Sequence, residues 1–599
     1  MTAFAAIFSR DGRPICREGS DRIAAALASM TGAESRLCDA GPCRLFLAPL
    51  HAWDPREPIA RRGSPIAAAG QVTLEGAADL RRETGLPASA PDLEVAAAVL
   101  ERWGVDGARR LQGEYALAAW DERERSLVCA RDGIGIRVLY VGEARDLVVV
   151  SNTIDAVVAH PAISRTLDEG ALLRFLADGS VTKSTATPYK AVKLAPEGHT
   201  LVIRSEGDAI LRRHWHPPAM DHVMARDVRS VPEGYRATLQ HAVADRVSGR
   251  RATIFLSGGL DSTTIASTAI ECAAELRAVT FRYRGLDFDD EVRLAAEAAA
   301  HLGIETSIVD ADEQVALEAE RSGQTSAVLA DEPGLANWRR GLERAAQFSS
   351  LALYGEDGDA LLAPPGGAAL LDAQGLGSVA LAAVKLIASE GEAPYLGLRL
   401  RERIGWAPSP RVEPTPWLTR TARDLVAQPE DASVLGARAD PLEFGPEGGR
   451  TWERLLRNVP RDFAVSLSPD VTRQRLEVTL PLMDTRVIRY VLSIPPVPWC
   501  HHKRVAREAF AGRLPASILD RPKTSVPGAH EALVGSWRQR YEDVARDPQM
   551  ASDLARRGWI DAATWRHTIA HGSAQAAMAA WRVLILDAWL RRAGTSCTR

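Results

Sequence analysis

The segment with the clearest chemical potential runs from Phe255 to Thr263, where FLSGGLDST joins an apolar run to a helix-like stretch. Adjacent glycines let a backbone approach a ligand closely and adopt conformations that other residues avoid. We expect a helix to begin at about Ser262, and the free N–H groups at its N-terminus would suit a phosphate. Asp261 alone would repel a phosphate, so its position indicates a bridging Mg²⁺.

The segment differs from the two most familiar phosphate-binding motifs. It matches neither GxxxxGK[ST] nor GxGxxG, and no P-loop lysine follows it, which excludes both of those interpretations. The alternative without a ligand is an ordinary strand–turn–helix unit in which Ser and Asp side chains cap the helix.

A second acidic turn, GEDGD at 355–359, follows another short apolar run. In an open parallel sheet, ligands bind beyond the carboxyl ends of the strands. The strand ends at Thr280 and Gly355 would then lie beside Asp261, and Asp359 could complete its metal site. A solvated acidic loop is the alternative for this turn.

The second half of the chain has the elements that could position these residues. Alanine-rich helical stretches separate the first three of four short apolar runs, and this alternation predicts a parallel, doubly wound sheet. The four runs are 252–256, 276–283, 305–310 and 351–355. Beyond about 366 the pattern is mostly helical, interrupted by a Pro/Gly-rich loop near 428–450.

The first half of the chain has a different sequence pattern. Short apolar runs alternate with turn residues, most clearly over 111–142, and helical patterns occur at 91–103 and 167–178. This combination predicts an α+β sandwich. The predicted domains are 1–215, a linker at 216–235, and 236–599.

Composition excludes several classes of protein. The 599 residues carry a net charge of -4 and are 46% hydrophobic, which are ordinary values for a globular protein. The chain lacks the excess of basic residues that is typical of nucleic-acid-binding proteins. No run approaches the ~18 apolar residues of a membrane span, and the N-terminus does not resemble a secretory signal. Seven cysteines without a CxxC pair predict neither disulfides nor zinc, so a cytoplasmic protein is expected. Cys500, His501 and His502 are consecutive and cannot easily converge on one metal ion.

The motifs together resemble those of the asparagine synthetase-like, ATP-pyrophosphatase enzymes. SGGLDS resembles the family's pyrophosphate-binding motif, and GEDGD its G-E-G-x-D turn. LEVTLPLMD at 476–484 is similar to the L-E-x-R-x-P-x-L-D segment. Lys503, Arg507, Leu514-Pro515 and Arg521-Pro522-Lys523 match its C-terminal pattern, and 113–140 resembles its glutaminase-type domain. The resemblance implies an α+β, Ntn-type sandwich followed by an α/β ATP-pyrophosphatase domain with a parallel sheet and a largely helical C-terminal part.

The resemblance also implies roles for individual residues, with ATP and Mg²⁺ as the groups bound. Glu356 would be the general base, while Lys523 would neutralise the oxyanion and the adenylate phosphate, with Lys503 as a further catalytic lysine. The metal ligands would be Asp261 and Asp359. The ATP- and pyrophosphate-binding residues would be Leu256, Ser257, Gly258, Gly259, Asp261, Ser262, Thr280 and Gly355.

Two departures from the family pattern concern the N-terminal domain. Glutamine-dependent members carry a cysteine nucleophile after the initiator methionine, where this sequence has Thr2. Their Asn-Gly-Glu strand end appears here as Ala69-Gly70-Gln71. These differences predict a catalytically inactive N-terminal domain that makes no ammonia, so the substrate must supply the amine.

Within the family, that describes β-lactam synthetase-like cyclases and the lasso peptide macrolactam synthetases. The second group is the closer resemblance, since it tolerates G-E-D-G-D and often carries a stretch like Pro414-Thr415-Pro416-Trp417-Leu418. It implies a lasso peptide cyclase that adenylates an Asp or Glu side chain of a ribosomal precursor peptide. The peptide's N-terminal amine would close an isopeptide bond, with release of AMP and pyrophosphate.

The partners implied are the core peptide, a leader peptidase and a leader-recognition partner. Three alternatives remain open: an asparagine synthetase that uses free ammonia, a small-molecule β-lactam-forming cyclase, and an inactive scaffold with a relic fold.

Overall fold

In the computed structural model, the described part of the chain comprises residues 2–48, 63–179, 185–216, 230–283, 289–311, 327–329, 335–356, 358–362, 377, 380–381, 384, 387–388, 415–428, 433–437, 461–521, 545–547 and 549–593. None of the helices within these ranges is long and apolar enough to cross a membrane.

Two antiparallel sheets form the N-terminal domain. The first has the order β2-β3-β1-β8-β7-β9 and the second the order β11-β10-β6-β5-β4. The strands are β1 Ala3–Ser9, β2 Arg36–Ala40, β3 Cys43–Ala48, β4 Ile66–Leu74, β5 Gly113–Asp121, β6 Ser126–Arg131, β7 Tyr140–Ala144, β8 Leu147–Ser151, β9 Val192–Leu194, β10 His199–Arg204 and β11 Ile210–Arg213.

Strand β1 shows why these apolar runs become the centre of a sandwich. All seven of its residues are buried, although alternate side chains of a strand point to opposite faces. Phe4, Ala6 and Phe8 pack in the core between the sheets. Ala3, Ala5 and Ile7 lie in the core that includes covering helices. The predicted α+β sandwich is therefore confirmed.

The α-helices in the described part of this domain are α1 Arg17–Thr31, α2 Ala77–Thr84, α3 Asp92–Trp103, α4 Ile154–Ala159 and α5 Glu169–Asp178. A 3₁₀ helix at Gly104–Arg110 follows α3. Helices α3 and α5 coincide with the helical patterns predicted at 91–103 and 167–178.

The second half contains a five-stranded parallel sheet of order β14-β13-β12-β15-β16. Its strands are β12 Arg251–Phe255, β13 Glu275–Tyr283, β14 Glu305–Ala311, β15 Leu351–Leu353 and β16 Glu477–Thr479. The first four confirm the predicted strands. Strand β16 lies in the LEVTLPLMD segment, which we had not predicted to be a strand.

The remaining helices of the described chain pack in part against this sheet and in part against the N-terminal domain. They are α6 Val231–Val247, α7 Leu260–Ala269, α8 Asp289–Leu302, α9 Leu335–Ala346, α10 Gly358–Leu361, α11 Arg420–Val426, α12 Arg461–Ser466, α13 Pro469–Thr472, α14 Thr485–Ser493, α15 Pro496–Trp499, α16 Arg504–Ala509, α17 Ala516–Leu519, α18 Ser552–Arg556, α19 Ala562–His571 and α20 Ala574–Ala593. The described part of this half also has 3₁₀ helices at Pro481–Met483 and His501–Lys503. Helix α6 begins inside the predicted linker 216–235, and the loop predicted near 428–450 falls mostly outside the described residues.

Buried ion pairs join the two halves of the molecule. Arg246 on α6 contacts Glu114 of β5 at 3.0 Å and Asp484 at 2.8 Å. Arg137 binds the same Glu114 at 2.8 Å and Glu477 of β16 at 3.4 Å. Since removal of one member of a buried pair leaves an uncompensated charge, each is expected to matter by about 3–5 kcal/mol. The network fixes the β16 edge of the parallel sheet against the sandwich.

Candidate functional site

A cavity of about 930 Å³ opens at the carboxyl ends of β12, β13 and β15. This is the position at which ligands bind in open parallel sheets. Another wall is formed by Cys500, His501, His502, Lys503 and Arg507. Phe255, Phe281 and Tyr354 supply aromatic surface, with the rings of Phe255 and Phe281 stacked 5.9 Å apart.

The SGGLDS turn is organised by its own hydroxyl groups. Ser257 Oγ and Ser262 Oγ are 3.1 Å apart, and the backbone N–H of Gly259 donates to Ser257 Oγ at 3.3 Å. Thr263 Oγ1 donates to the carbonyl of Gly259 at 2.7 Å. Helix α7 begins at Leu260, two residues before the predicted start at Ser262. These contacts fix the backbone where α7 presents its N-terminus to the cavity.

Glycines allow three backbone segments to meet beneath this turn. Gly258 has φ +69°, and a Cβ there would lie 2.6 Å from the backbone nitrogen of Ala295 on α8. A Cβ on Gly355 would lie 3.0 Å from the nitrogen of Ser262, and one on Gly358 would lie 2.3 Å from the Asp261 carboxylate. Gly258 therefore packs on α8, whereas the other two bring the acidic turn against α7.

Lys503 joins the two acidic residues predicted to bind metal. Its Nζ lies 2.5 Å from Asp261 Oδ2 and 2.6 Å from Asp359 Oδ1. The backbone of Lys503 and of the residue before it is strained, because His502 and Lys503 have φ of +47° and +57°. Left-handed conformations cost non-glycine residues roughly 1–2 kcal/mol each, and such outliers cluster at functional sites.

Asp261 and Asp359 fit a Mg²⁺ ion in number and position. Their oxygens converge on a single cation, the ammonium of Lys503, so both can reach one point. Mg²⁺ is commonly held by one or two carboxylates together with substrate phosphates and water. The described residues contain no group of three or more His, Cys, Asp or Glu side chains that could form a complete metal cage. The arrangement therefore suits a metal that arrives with a phosphate ligand.

Glu356 lies in the cavity wall beside these carboxylates. Burial raises its pKa above the usual range, and the charges of Asp359 and Asp261 act in the same direction. A hydrogen bond from Tyr354 opposes this effect on the pKa. A partly buried carboxyl group with a raised pKa is suited to accept a proton near neutral pH.

The remaining predicted residues divide into those at the cavity and those outside the described chain. Leu256, Ser257, Gly259, Ser262, Thr280 and Gly355 line the cavity. The Thr280 hydroxyl donates to the Leu256 carbonyl at 2.9 Å, which ties the ends of β12 and β13 together. Lys523, the Asp357 of the acidic turn and the Pro414 of the Pro-rich stretch lie outside the described residues.

Sequence reasoning assigned no role to several side chains that the structure places at the cavity. Tyr354 immediately precedes the acidic turn and hydrogen-bonds Glu356. Arg507 and Arg521 lie in the wall, and Arg521 faces Glu291, whose pKa is raised by burial and lowered by that charge. Arg507 and Arg521 belonged to the matched C-terminal pattern, whereas Tyr354 and Glu291 had no motif that could identify them.

In the N-terminal domain, Thr2 lies beside amide side chains. Asn152 Nδ2 donates to the Thr2 carbonyl at 3.0 Å and to Gln71 Oε1 at 3.1 Å. Gln71 is 4% exposed, and Asn152 Oδ1 accepts from the backbone N–H of Phe4. Amide groups thus occupy the position next to Thr2.

Comparisons with known proteins match both halves. A glutamine amidotransferase domain profile matches residues 77–215, and the profile described as asparagine synthase matches residues 234–591. Amidase chry2 of Gibberella zeae is 27% identical over 37% of this chain and 35% of its own. Asparagine synthetase [glutamine-hydrolyzing] 3 of Bacillus subtilis is 29% identical over 30% of this chain and 29% of its own. The chain thus spans about a third of the length of these relatives.

A solved structure of glutamine phosphoribosylpyrophosphate amidotransferase from B. subtilis aligns with 51% of this chain and 80% of its own, at 15% identity and a TM-score of 0.26. The match to the glutamine amidotransferase domain profile and the parallel sheet confirm the predicted two-part fold. Because the asparagine synthase profile covers more than half of the sequence, this chain belongs to the asparagine synthase family.

Proposed function

We propose that the chain is an ATP-dependent amide ligase that closes a macrolactam in a ribosomal peptide, as a lasso peptide cyclase does. The observation that carries the proposal is the meeting of Lys503 with Asp261 and Asp359 beside the SGGLDS turn. Three distant segments supply these charges at the end of a parallel sheet, in a cavity large enough for a nucleotide and part of a substrate.

In the first step, the substrate carboxylate attacks the α-phosphate of ATP. A carboxylate–phosphorus bond forms, the bond to the β-phosphate breaks, and pyrophosphate leaves. Ser257, Gly259 and Ser262 hold the leaving group, and Lys503 neutralises charge near it. A Mg²⁺ ion bound at Asp261 and Asp359 would supply further neutralisation of the phosphate oxygens.

In the second step, the amine attacks the activated acyl carbon. The new C–N bond forms, the bond to the AMP oxygen breaks, and the amine gives up a proton. Glu356 is the candidate acceptor, because its raised pKa favours proton uptake and Tyr354 fixes its carboxyl group. Lys523 remains our candidate for neutralising the oxyanion.

The source of the amine is argued from the N-terminal domain. Thr2, Gln71 and Asn152 meet where the family resemblance places a cysteine nucleophile and its oxyanion donor. A domain without that thiol would not release ammonia from glutamine, which favours an amine within the substrate itself. We therefore assign the N-terminal amine of the peptide as the nucleophile and the Asp or Glu side chain as the acceptor.

Two kinds of assay test the proposed function. Purified protein with ATP, Mg²⁺ and a leader-free core peptide should give AMP, pyrophosphate and a peptide 18 Da lighter, because one water is lost on ring closure. Lys523→Ala should abolish ring closure in a folded protein, and retained cyclisation would remove Lys523 from the mechanism. Release of ADP and phosphate with the peptide would contradict the adenylation chemistry.

An asparagine synthetase that uses free ammonia is the second candidate. It is favoured by the B. subtilis relative, which is named as an asparagine synthetase. Aspartate, ammonium and ATP would then yield asparagine and AMP without any peptide. Turnover of that mixture, combined with no turnover of peptides, would replace the cyclase proposal.

A further inference from the structure

Arg507 on α16 uses all three of its side-chain nitrogens on backbone carbonyl groups. Its Nε donates to His502 O at 2.6 Å, and its Nη2 donates to Arg521 O at 2.7 Å. Its Nη1 donates to Leu519 O. A guanidinium presents these donors in a rigid planar fork, so one side chain fixes three carbonyl groups relative to one another.

The carbonyl groups belong to two chain segments beside the cavity, one before α16 and one at and just after the end of α17. His502 immediately precedes Lys503 and shares its left-handed backbone, which directs the Lys503 side chain to Asp261 and Asp359. Leu519 ends α17, and its carbonyl is among those that a helix end leaves without an internal partner. Arg521 lines the cavity and stands two residues before Lys523 in the sequence.

We propose that Arg507 is a positioning residue for amide formation. By donating hydrogen bonds to the carbonyl groups of His502, Leu519 and Arg521, it fixes the position of the Lys503 side chain. The assignment of an amide-forming step rests on the proposed function. A lysine at this position would keep the charge but could not hold three carbonyl groups in a plane. Arg507 therefore differs from a residue that contributes charge alone.

The first test does not depend on turnover. N-hydroxysuccinimidyl acetate acetylates accessible amines, and mass spectrometry reports the rate at each lysine. In Arg507→Ala, the acetylation rate at Lys503 should rise about tenfold. The variant loses the charge-assisted hydrogen bonds of Arg507, so the segment that holds the Lys503 side chain is no longer fixed. Lys190 and Lys193 in the N-terminal domain serve as internal references and should not change. Arg504→Gln on the same helix is the matched control.

An unchanged Lys503 rate in Arg507→Ala would overturn the proposal. Arg507→Lys provides a second variant and should expose Lys503 in the same way. Loss of the folded state in both variants would identify Arg507 as a structural residue and would also overturn it. If the wild-type protein turns over no carboxylate substrate, the proposed function fails, whereas the acetylation result still decides the role of Arg507.

The second test separates positioning from substrate binding. In Arg507→Ala, kcat for AMP formation should fall about 100-fold, the scale expected for misplacement of a reacting group, while KM for ATP changes little. Arg507→Lys should not restore kcat, whereas added methylguanidine should partly restore it in Arg507→Ala. In a cycle with Lys503→Met, the two losses should not add, because both act through one side chain. Additive losses of kcat in the cycle would contradict the assignment. A rise in KM for ATP of about 100-fold with unchanged kcat would contradict it as well.

Discussion

Lys503 contacts both carboxylates that the sequence predicts as metal ligands, so its ammonium would compete with a divalent cation for the same oxygen atoms. The side chains of Lys503 and Asp261 are 16% and 17% exposed, which limits the screening of that pair by solvent. In the absence of a nucleotide, we therefore expect the lysine to weaken metal binding, and a phosphate chain to be needed as an additional ligand.

Replacement of this lysine should make the effect visible. Without nucleotide, Lys503→Met should bind Mn²⁺, used as a spectroscopic substitute for Mg²⁺, about tenfold more tightly than wild type, because a competing charge is gone. Electron paramagnetic resonance measures the free ion directly. Arg513→Gln, which removes an exposed surface pair, is the matched control. Equal Mn²⁺ affinity in wild type and Lys503→Met would show that the lysine does not compete.

Glu356 carries a prediction about pH. Since burial and the neighbouring carboxylates raise its pKa, the deprotonated form that the proposed proton acceptance requires is lost at a higher pH than for an exposed glutamate. The acidic limb of the pH profile of kcat should have its midpoint above pH 4.5, the usual pKa of a glutamate. Glu356→Gln should lower kcat by about 100-fold and remove that limb. An identical acidic limb in Glu356→Gln would assign the proton acceptor to another group.

At the scale of the element, the turn between β12 and α7 depends on close packing against α8. Gly258 and Gly249 have nearly the same φ, +69° and +68°, but only Gly258 faces atoms that a Cβ would meet. The pair therefore separates backbone strain from steric conflict within a single chain.

The corresponding prediction compares two alanine variants. Gly249→Ala should lower the free energy of unfolding by only the strain of a left-handed alanine, roughly 1–2 kcal/mol. Gly258→Ala should be more destabilising and should also reduce pyrophosphate formation, because the backbone of Ala295 must move and the turn with it. Thermal melts and a pyrophosphate assay make the comparison. Equal effects on stability and activity would mean that the contact with α8 is unimportant.

Particular elements show how far the sequence could predict this site. Apolar runs and Ala-rich stretches located β12 to β15 because burial and periodicity are local properties of a segment. Strand β16 has only three residues, and it forms because β15 and the sandwich hold it, which no local pattern records. The position of the Lys503 ammonium depends on the left-handed backbone of His502 and Lys503. Neither residue type indicates that conformation.

At the scale of the whole molecule, the interface between the halves includes a cluster of buried charges. Glu75 accepts a hydrogen bond from the Thr485 backbone at 3.1 Å and lies 3.9 Å from Arg246. Burial, and then the charge of Asp484, raises the pKa of Glu75 to about 8, although Arg246 opposes the shift. At neutral pH this side chain is therefore largely protonated in the folded protein.

The sign of the resulting pH dependence follows from that shift. The folded state keeps the Glu75 proton that the unfolded state loses above about pH 4.5, so this contribution to stability is present at low pH and lost as pH rises to about 8. Glu75→Gln cannot lose a proton, so its melting temperature relative to wild type should rise between pH 5 and pH 8. Melts across this range measure it, with Glu83→Gln on the surface as control. A constant difference would place the Glu75 pKa outside this window.

The amidotransferase-like half is thus tied to the sheet that carries the cavity, whether or not it has chemistry of its own. The contacts of Glu114 and Arg137 with β16 lie one strand away from the acidic turn after β15. This connection gives the N-terminal half a structural role at the edge of the sheet that carries the cavity.

Oxygen transfer tests the central claim most directly. A substrate whose reacting carboxylate carries ¹⁸O should pass one labelled oxygen to AMP, because the acyl–oxygen bond breaks when the amine attacks. Mass spectrometry of the nucleotide products should therefore find one ¹⁸O in AMP and none in pyrophosphate. Label in orthophosphate together with ADP, or unlabelled AMP alongside the amide product, would contradict activation of the carboxylate at the α-phosphate.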